Sequence, residues 1–200
     1  MEKSIFDIEV QNTHLDSKII VALERISEVF RVLLWQEGKE LGLSPIQIQL
    51  LIFIALHEAK YCKVSYLAQE FQVSKPTISD AVKVLEQKGL IEKIADTNDT
   101  RSYHIILSAK GREITPKLAL FSNTIQSALA PMPTNQKNEL WQSLLSIMVF
   151  LQKSELVSLQ RMCFNCANYQ NRQGLHFCNM LQTNLQNEDI RIDCNEHQSL

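Results

Sequence analysis

Val73-Ser74-Lys75-Pro76-Thr77-Ile78-Ser79-Asp80-Ala81-Val82-Lys83-Val84-Leu85-Glu86-Gln87-Lys88-Gly89 reads as a helix with its own punctuation. Ser74 is an N-cap, Pro76 suits the first turn, and Gly89 is a stop, so a helix over 75–88 is predicted. Ile78, Ala81, Val82 and Leu85 recur at i, i+3, i+4 and i+7 and should face a core. Lys75, Thr77, Ser79, Asp80 and Lys83 are left outside. Hydroxyls and amines at a helix start can donate to phosphates and base edges. The free N–H groups and partial positive charge of that end suit a phosphate as well.

Upstream, Ser44-Pro45 opens a buried helix through about His57, and a short helix lies around Val64 to Phe71. Downstream, Leu90-Ile91-Glu92-Lys93-Ile94 and Tyr103-His104-Ile105-Ile106-Leu107 are short β-branched segments flanking a polar stretch. They predict a hairpin with a hydrophilic tip over 95–102. Helix, helix, capped helix, hairpin is the order of a winged helix-turn-helix, here about 45–111. The fold class is therefore mainly α with a small β-hairpin wing (α+β). Arg101, at the wing tip, is long enough to enter a minor groove beside a helix in the major groove.

Residues 17–41 carry Ile19, Leu23, Ile26, Phe30 and Leu33 at spacings of a helix–helix seam, with Gly42 as a stop. Gly111 starts a second helical region through about Ala130, broken by Pro131-Met132-Pro133. Thr134 then caps a last helix with Trp141, Leu144, Leu145, Met148 and Leu151 on one face. Both stripes are too long for one small core, so a homodimer through 17–41 and 134–159 is expected. The main domain is placed at 1–159 and a tail at 160–200.

Several stretches resemble the MarR family of winged-helix regulators. They are Leu43-Ser44-Pro45-Ile46-Gln47-Ile48-Gln49-Leu50-Leu51, Leu67-Ala68 through Ser79, and Val84 through Ile91. Asp99-Thr100-Arg101 falls where the family's wing has Asp-x-Arg, and Leu107-Ser108-Ala109-Lys110-Gly111 resembles the Leu-Thr-x-x-Gly that follows. The resemblance covers about 17–159. It implies a homodimer with one recognition helix per subunit in successive major grooves of double-stranded DNA. It also implies that Ser74, Lys75, Thr77, Ser79 and Lys83 contact DNA, with Arg101 in the minor groove and Asp99 orienting it. A small-molecule effector is a further expectation, and Trp35 and His57 could line its pocket or simply pack the core. Asp80 and Val84 depart from the basic residues often found there, which implies a shallower salt dependence.

The whole chain of 200 residues has a formal net charge of −2 and 45 % hydrophobic residues. That excludes a grossly basic nucleic-acid coat but not a small basic reading surface. The longest apolar run, Leu50 to Leu56, is far short of the roughly 20 residues of a membrane span. With no signal-like start, the protein is read as cytoplasmic and without membrane association.

Four of the five cysteines sit in the tail as Cys163-x2-Cys166, eleven residues, Cys178, fifteen residues, then Cys194-x2-His197. In a cytoplasmic chain this clustering points to metal ligands, with His176 and His197 as spare candidates. A structural Zn2+ is the favoured occupant, because a tail with few large apolar residues could fold around it. An iron–sulfur cluster is the alternative. The spacing, with Tyr169 soon after Cys166, resembles that of high-potential iron–sulfur proteins. Cys62, just before the Val64 helix, is read as a buried inert thiol rather than a reactive one.

No His-Glu-x-x-His or nucleophile motif occurs, and closed four-cysteine coordination leaves no open catalytic position, so no enzyme is expected. The leading reading is a homodimeric repressor on a pseudo-palindromic operator. The alternative is a protein-interaction module with a degenerate winged helix and a metal-bound docking tail.

Overall fold

The computed structural model describes residues 4–96, 103–154, 160–172 and 174–199. Among these residues eight α-helices run α1 (Ile8–Thr13), α2 (Leu15–Gly38), α3 (Pro45–Leu56), α4 (Val64–Glu70), α5 (Lys75–Gln87), α6 (Ala109–Leu118), α7 (Asn123–Leu129) and α8 (Thr134–Lys153). Between α5 and α6 lie β1 (Ile91–Ala95) and β2 (Tyr103–Leu107), paired antiparallel from Ile91 opposite Leu107 to Ala95 opposite Tyr103. The tail adds β3 (Tyr169–Arg172), β4 (Leu175–Cys178) and β5 (Thr183–Leu185) in one antiparallel sheet of order β3-β4-β5.

The winged helix forms around α3, whose Ile48, Leu50, Leu51, Phe53 and Ile54 are buried against Leu67, Ile78, Val82, Leu85 and Ile105. Apolar residues all round a helix require burial on all sides, and α3 sits at the centre. The Gln47 side chain accepts from the Ser44 N–H at 3.0 Å, one arm of a capping box. On α5 the Ser74 hydroxyl accepts from the Thr77 N–H at 3.2 Å. Ile78, Ala81, Val82 and Leu85 are the buried residues of that helix.

The outer helices differ from their sequence reading in detail. α2 stops at Gly38 because the chain must pass close: a Cβ there would meet the Leu43 carbonyl oxygen at 2.5 Å. Asp7, capping Glu9 at 2.9 Å, adds the short α1. The predicted helix from Gly111 is divided into α6 and α7 by a 3-10 turn over Ala119–Ser122. Pro133, not Thr134, occupies the N-cap position of α8, and its carbonyl takes the Lys137 N–H at 3.1 Å.

The largest difference concerns α8 and the tail. Leu145 packs with Met162, Leu185 and Ile190 of the tail, and Trp141, Met148 and Val149 border them. The indole N–H of Trp141 donates to the Asn187 carbonyl at 2.7 Å. Part of the stripe assigned to dimerisation therefore covers the protein's own tail. Leu140, Ile147 and Phe150 remain exposed on α8, as do Ile19, Ile20, Ile26 and Phe30 on α2.

At the start of α6, the Ser108 hydroxyl donates to the Gly89 carbonyl at 2.6 Å and accepts from the Gly111 N–H at 3.0 Å. A Cβ on Gly111 would lie 2.0 Å from the Leu90 carbonyl oxygen, a backbone atom that cannot swing away. Gly111→Ala should therefore destabilise the winged helix by about 1–3 kcal/mol, the range for forced overpacking. A thermal melt of the variant against the parent protein checks this, and an unchanged midpoint would refute the close approach.

Candidate nucleic-acid interface and the cysteine tail

With one face of α5 committed to the core, the other is free. Ser74, Lys75, Thr77, Ser79 and Lys83 are all exposed. Ser74 and Thr77 also join their hydroxyls at 2.8 Å, so the cap serves the helix while both groups stay at the surface. Asp99 and Arg101, the predicted wing contacts, lie outside the described residues.

The base of the wing is anchored by charge. Asp96, with its side chain 9 % exposed, pairs with Lys63 Nζ at 2.5 Å and with His104 Nε2 at 3.3 Å. The ring nitrogen Nδ1 of His104 meets the Ala59 carbonyl at 2.8 Å, and the Ile105 N–H donates to the Cys62 carbonyl at 2.9 Å. Asp96 is thus neutralised at the hairpin root.

A second polar centre joins the tail to the helix-turn-helix. Arg161 is 2 % exposed. Its Nε donates to Asp193 Oδ1 at 2.7 Å and one terminal nitrogen donates to Asp193 Oδ2 at 3.0 Å. The other terminal nitrogen donates to Tyr66 Oη at 2.5 Å and to Glu70 Oε2 at 3.1 Å, both on α4. The guanidinium carbon lies 5.0 Å from the Phe53 ring centroid and 5.2 Å from that of Tyr61, within cation–π range. His57 completes the group: Nδ1 donates to the Phe53 carbonyl at 2.8 Å, and Nε2 faces Asp193 Oδ2 at 2.8 Å. His57 is therefore a structural member of this centre and not a free pocket residue.

The charges answer to these contacts. Burial alone would lower the Arg161 pKa, but Asp193 and Glu70 outweigh it and hold the guanidinium firmly protonated. Burial would raise Asp193, yet its hydrogen bonds from Arg161 and His57 keep the carboxyl below its ordinary value. Cys62 is pushed up to about 11 by burial, against the opposing charge of Arg161, which agrees with an inert thiol. Nothing in the sequence pattern singled out Arg161. Its sequence neighbours, Gln160 and Met162, give no sign of its burial.

All four tail cysteines line one cavity of about 30 Å³, together with Asn168, Tyr169, Met180, Leu185 and Arg191. Cys163 and Cys166 come from a 3-10 turn, Cys178 from β4, and Cys194 from the C-terminal turn, where its N–H donates to the Arg161 carbonyl at 3.1 Å. Burial raises the Cys163 pKa, opposed by the Arg191 N–H that donates to its sulfur at 3.3 Å. The spare histidines point elsewhere. His176 Nδ1 meets Tyr169 Oη at 2.6 Å and His197 Nε2 meets Asn165 Oδ1 at 2.9 Å. Among the described residues, no group of three or more His, Cys, Asp or Glu side chains could hold a metal ion as placed.

An exposed capped helix beside a hairpin on a helical core defines the winged helix-turn-helix class. The sequence model of the MarR family matches residues 41–102, the stretch that runs from the start of α3 through the wing. The regulator BilQ of Clostridioides difficile, described as an HTH-type transcriptional regulator, is 33 % identical over 61 residues. That stretch is 30 % of this chain and 41 % of BilQ, so the chain spans less than half the length of this relative. The S. aureus MepR–DNA complex superposes with a TM-score of 0.58 at 20 % identity, over 66 % of this chain and 96 % of MepR. CouR of Rhodococcus jostii RHA1, bound to p-coumaroyl-CoA, gives a TM-score of 0.56 at 19 % identity, over 68 % of this chain and 94 % of CouR. At these identities the two structures establish a shared fold.

Because the Asp193 pKa is lowered on folding, its contribution to tail docking is present above the ordinary carboxylate value of about 4 and is lost as pH falls below it. Protection of residues 160–199 in amide hydrogen exchange, corrected for intrinsic rates, should be constant from pH 7 to 5. Asp193→Asn should reduce that protection at pH 7 while leaving α3 and α5 protected. Equal protection in the variant would show that the Arg161 centre does not hold the tail.

Proposed function

We propose that the chain is a DNA-binding transcription regulator, not an enzyme, acting as a homodimeric repressor on a pseudo-palindromic operator. The observation that carries this is α5. Its apolar face is buried while Lys75, Thr77, Ser79 and Lys83 stand exposed at and after a serine-capped N-terminus. Two such helices, one per subunit, would enter successive major grooves, with the wings, residues 95–102, over the flanking minor grooves. The MarR-type match and the MepR–DNA fold support the reading.

The dimer is supported by apolar surface. Ile19, Ile20, Leu23, Ile26 and Phe30 of α2 and Ile147 and Phe150 of α8 are exposed in the single chain. Exposed apolar stripes on two helices are the kind of surface that another copy of the chain would cover. A small-molecule effector is part of the proposal. CouR provides the parallel, and here Trp35 borders an open groove with Arg31, Val32 and Pro45. The tail is read as a metal-holding module on Cys163, Cys166, Cys178 and Cys194, whose first role is structural, since thiolate bonds would add order that few apolar residues supply.

Lys75→Ala and Lys83→Ala should each weaken binding to a selected operator and lower the salt slope by about one. Fluorescence anisotropy across a salt series measures both. A dimer that selects no sequence from a genomic library would instead support the interaction-module reading.

Ile26→Glu places a charge in the proposed seam and should convert the dimer to monomers or insoluble protein. Sedimentation at micromolar concentration tests it, and a monomeric parent protein would overturn the dimer.

A further inference from the structure

We propose that Cys163, Cys166, Cys178 and Cys194 ligate a [4Fe–4S] cluster, one thiolate to each iron, in place of a single metal ion. The inference rests on the reading of the tail as a metal-holding module and names what it holds.

Geometry separates the two occupants. Four thiolates around one Zn2+ sit about 2.3 Å from it, so neighbouring sulfurs are about 3.8 Å apart and touch. No water-sized void fits inside such a nest. Here the four cysteines surround a cavity of about 30 Å³, about twice the minimum that admits a water. The described residues contain no group of three or more ligand side chains converged on one ion. A cubane cluster removes that requirement, because each sulfur meets its own iron and the four stand apart around the core.

The wall has the matching chemistry. The surface it presents is almost wholly non-polar, with Tyr169, Met180, Leu181 and Leu185 between the cysteines, while Asp189 and Glu196 also border the cavity alongside Arg191. Protein interiors do not ordinarily leave such space empty, and a dry apolar wall suits a core of iron and sulfide better than water. Hydrogen-bond donors are aimed at sulfur. The Arg191 N–H reaches Cys163 Sγ at 3.3 Å, and the Arg191 guanidinium reaches Cys194 Sγ at 3.5 Å. Asn168 also lines the cavity, and its buried Nδ2 has no hydrogen-bond partner among the described residues. Buried amide donors are nearly always paired, so this one indicates an acceptor that the described residues do not supply. Sulfide or thiolate sulfur of a cluster is such an acceptor. Each thiol would release its proton to solvent as its sulfur bonds iron.

Cys62 is outside this set. It lies in the winged-helix core with its S–H directed at the Glu58 carbonyl, 3.5 Å away.

The test is iron, zinc and acid-labile sulfide analysis of the full chain, purified without oxygen and incubated with ferric iron, sulfide and a thiol that reduces part of the iron. About four iron and four sulfide per chain are expected, with absorption at roughly 400 nm and a paramagnetic resonance signal after dithionite reduction. Cys62→Ala should keep the full complement. Cys163→Ala/Cys166→Ala and Cys178→Ala/Cys194→Ala should each lose most of the iron and the 400 nm band, with helical circular dichroism confirming a folded winged helix. One zinc per chain, or a two-iron cluster, held by these cysteines would overturn the cluster and leave a metal-holding tail standing. Absence of any stoichiometric metal, or iron retained by both double variants, would remove both.

Discussion

A buried positive charge is tolerable only where its partners are fixed, and Arg161 makes that condition the organising constraint of this molecule. Its guanidinium is placed by two segments distant in sequence: Asp193 from the end of the tail, and Tyr66 and Glu70 from α4. An arginine removed from water without such partners would cost several kcal/mol. The tail therefore cannot leave α4 without exposing or orphaning the charge. The backbone at Arg161 has a φ of 53°, a left-handed conformation that a non-glycine residue adopts only when its surroundings over-determine it. Six side-chain hydrogen bonds, to Asp193, Tyr66, Glu70 and His57, and the rings of Phe53, Tyr61 and Tyr66 do so here.

The winged helix was legible in the sequence because each of its elements is locally encoded. Ser74, Pro76 and the 78/81/82/85 spacing fix α5 from within the helix, and the β-branched segments around 91–94 and 103–107 need only pair with each other. The tail was less legible because its order depends on partners far away in the chain. Leu145 looks like a member of a dimer seam until Met162, Leu185 and Ile190 are seen to cover it. Asp96 looks like a stray acid until Lys63 is found beside it. The same holds for the cysteines. Their spacing suggests a shared site, but the cavity that all four line is a three-dimensional property that no spacing contains.

Helix α8 faces two ways as a result. Its Trp141, Leu145 and Met148 side is occupied by the tail, while Leu140, Ile147 and Phe150 stay at the surface. The helix therefore links the apolar surface assigned to subunit contact with the module that carries the cysteines. Arg161 meanwhile links that module to the helix preceding α5. Tail, α8 and helix-turn-helix share side chains in pairs, so none of the three can repack independently of the others.

The attachment of the tail is small: four buried apolar residues, one indole hydrogen bond and the Arg161 centre. As a contact between two separate proteins it would be too slight to persist at cellular concentrations. Residues 155–159, however, join α8 directly to the segment that docks, and a short covalent connection holds the two surfaces at an effective concentration on the order of millimolar. At that concentration an interface of about micromolar intrinsic affinity is occupied nearly all of the time. Covalent continuity thus supplies the occupancy, and the chemistry of the interface is left free to set how readily the tail lets go.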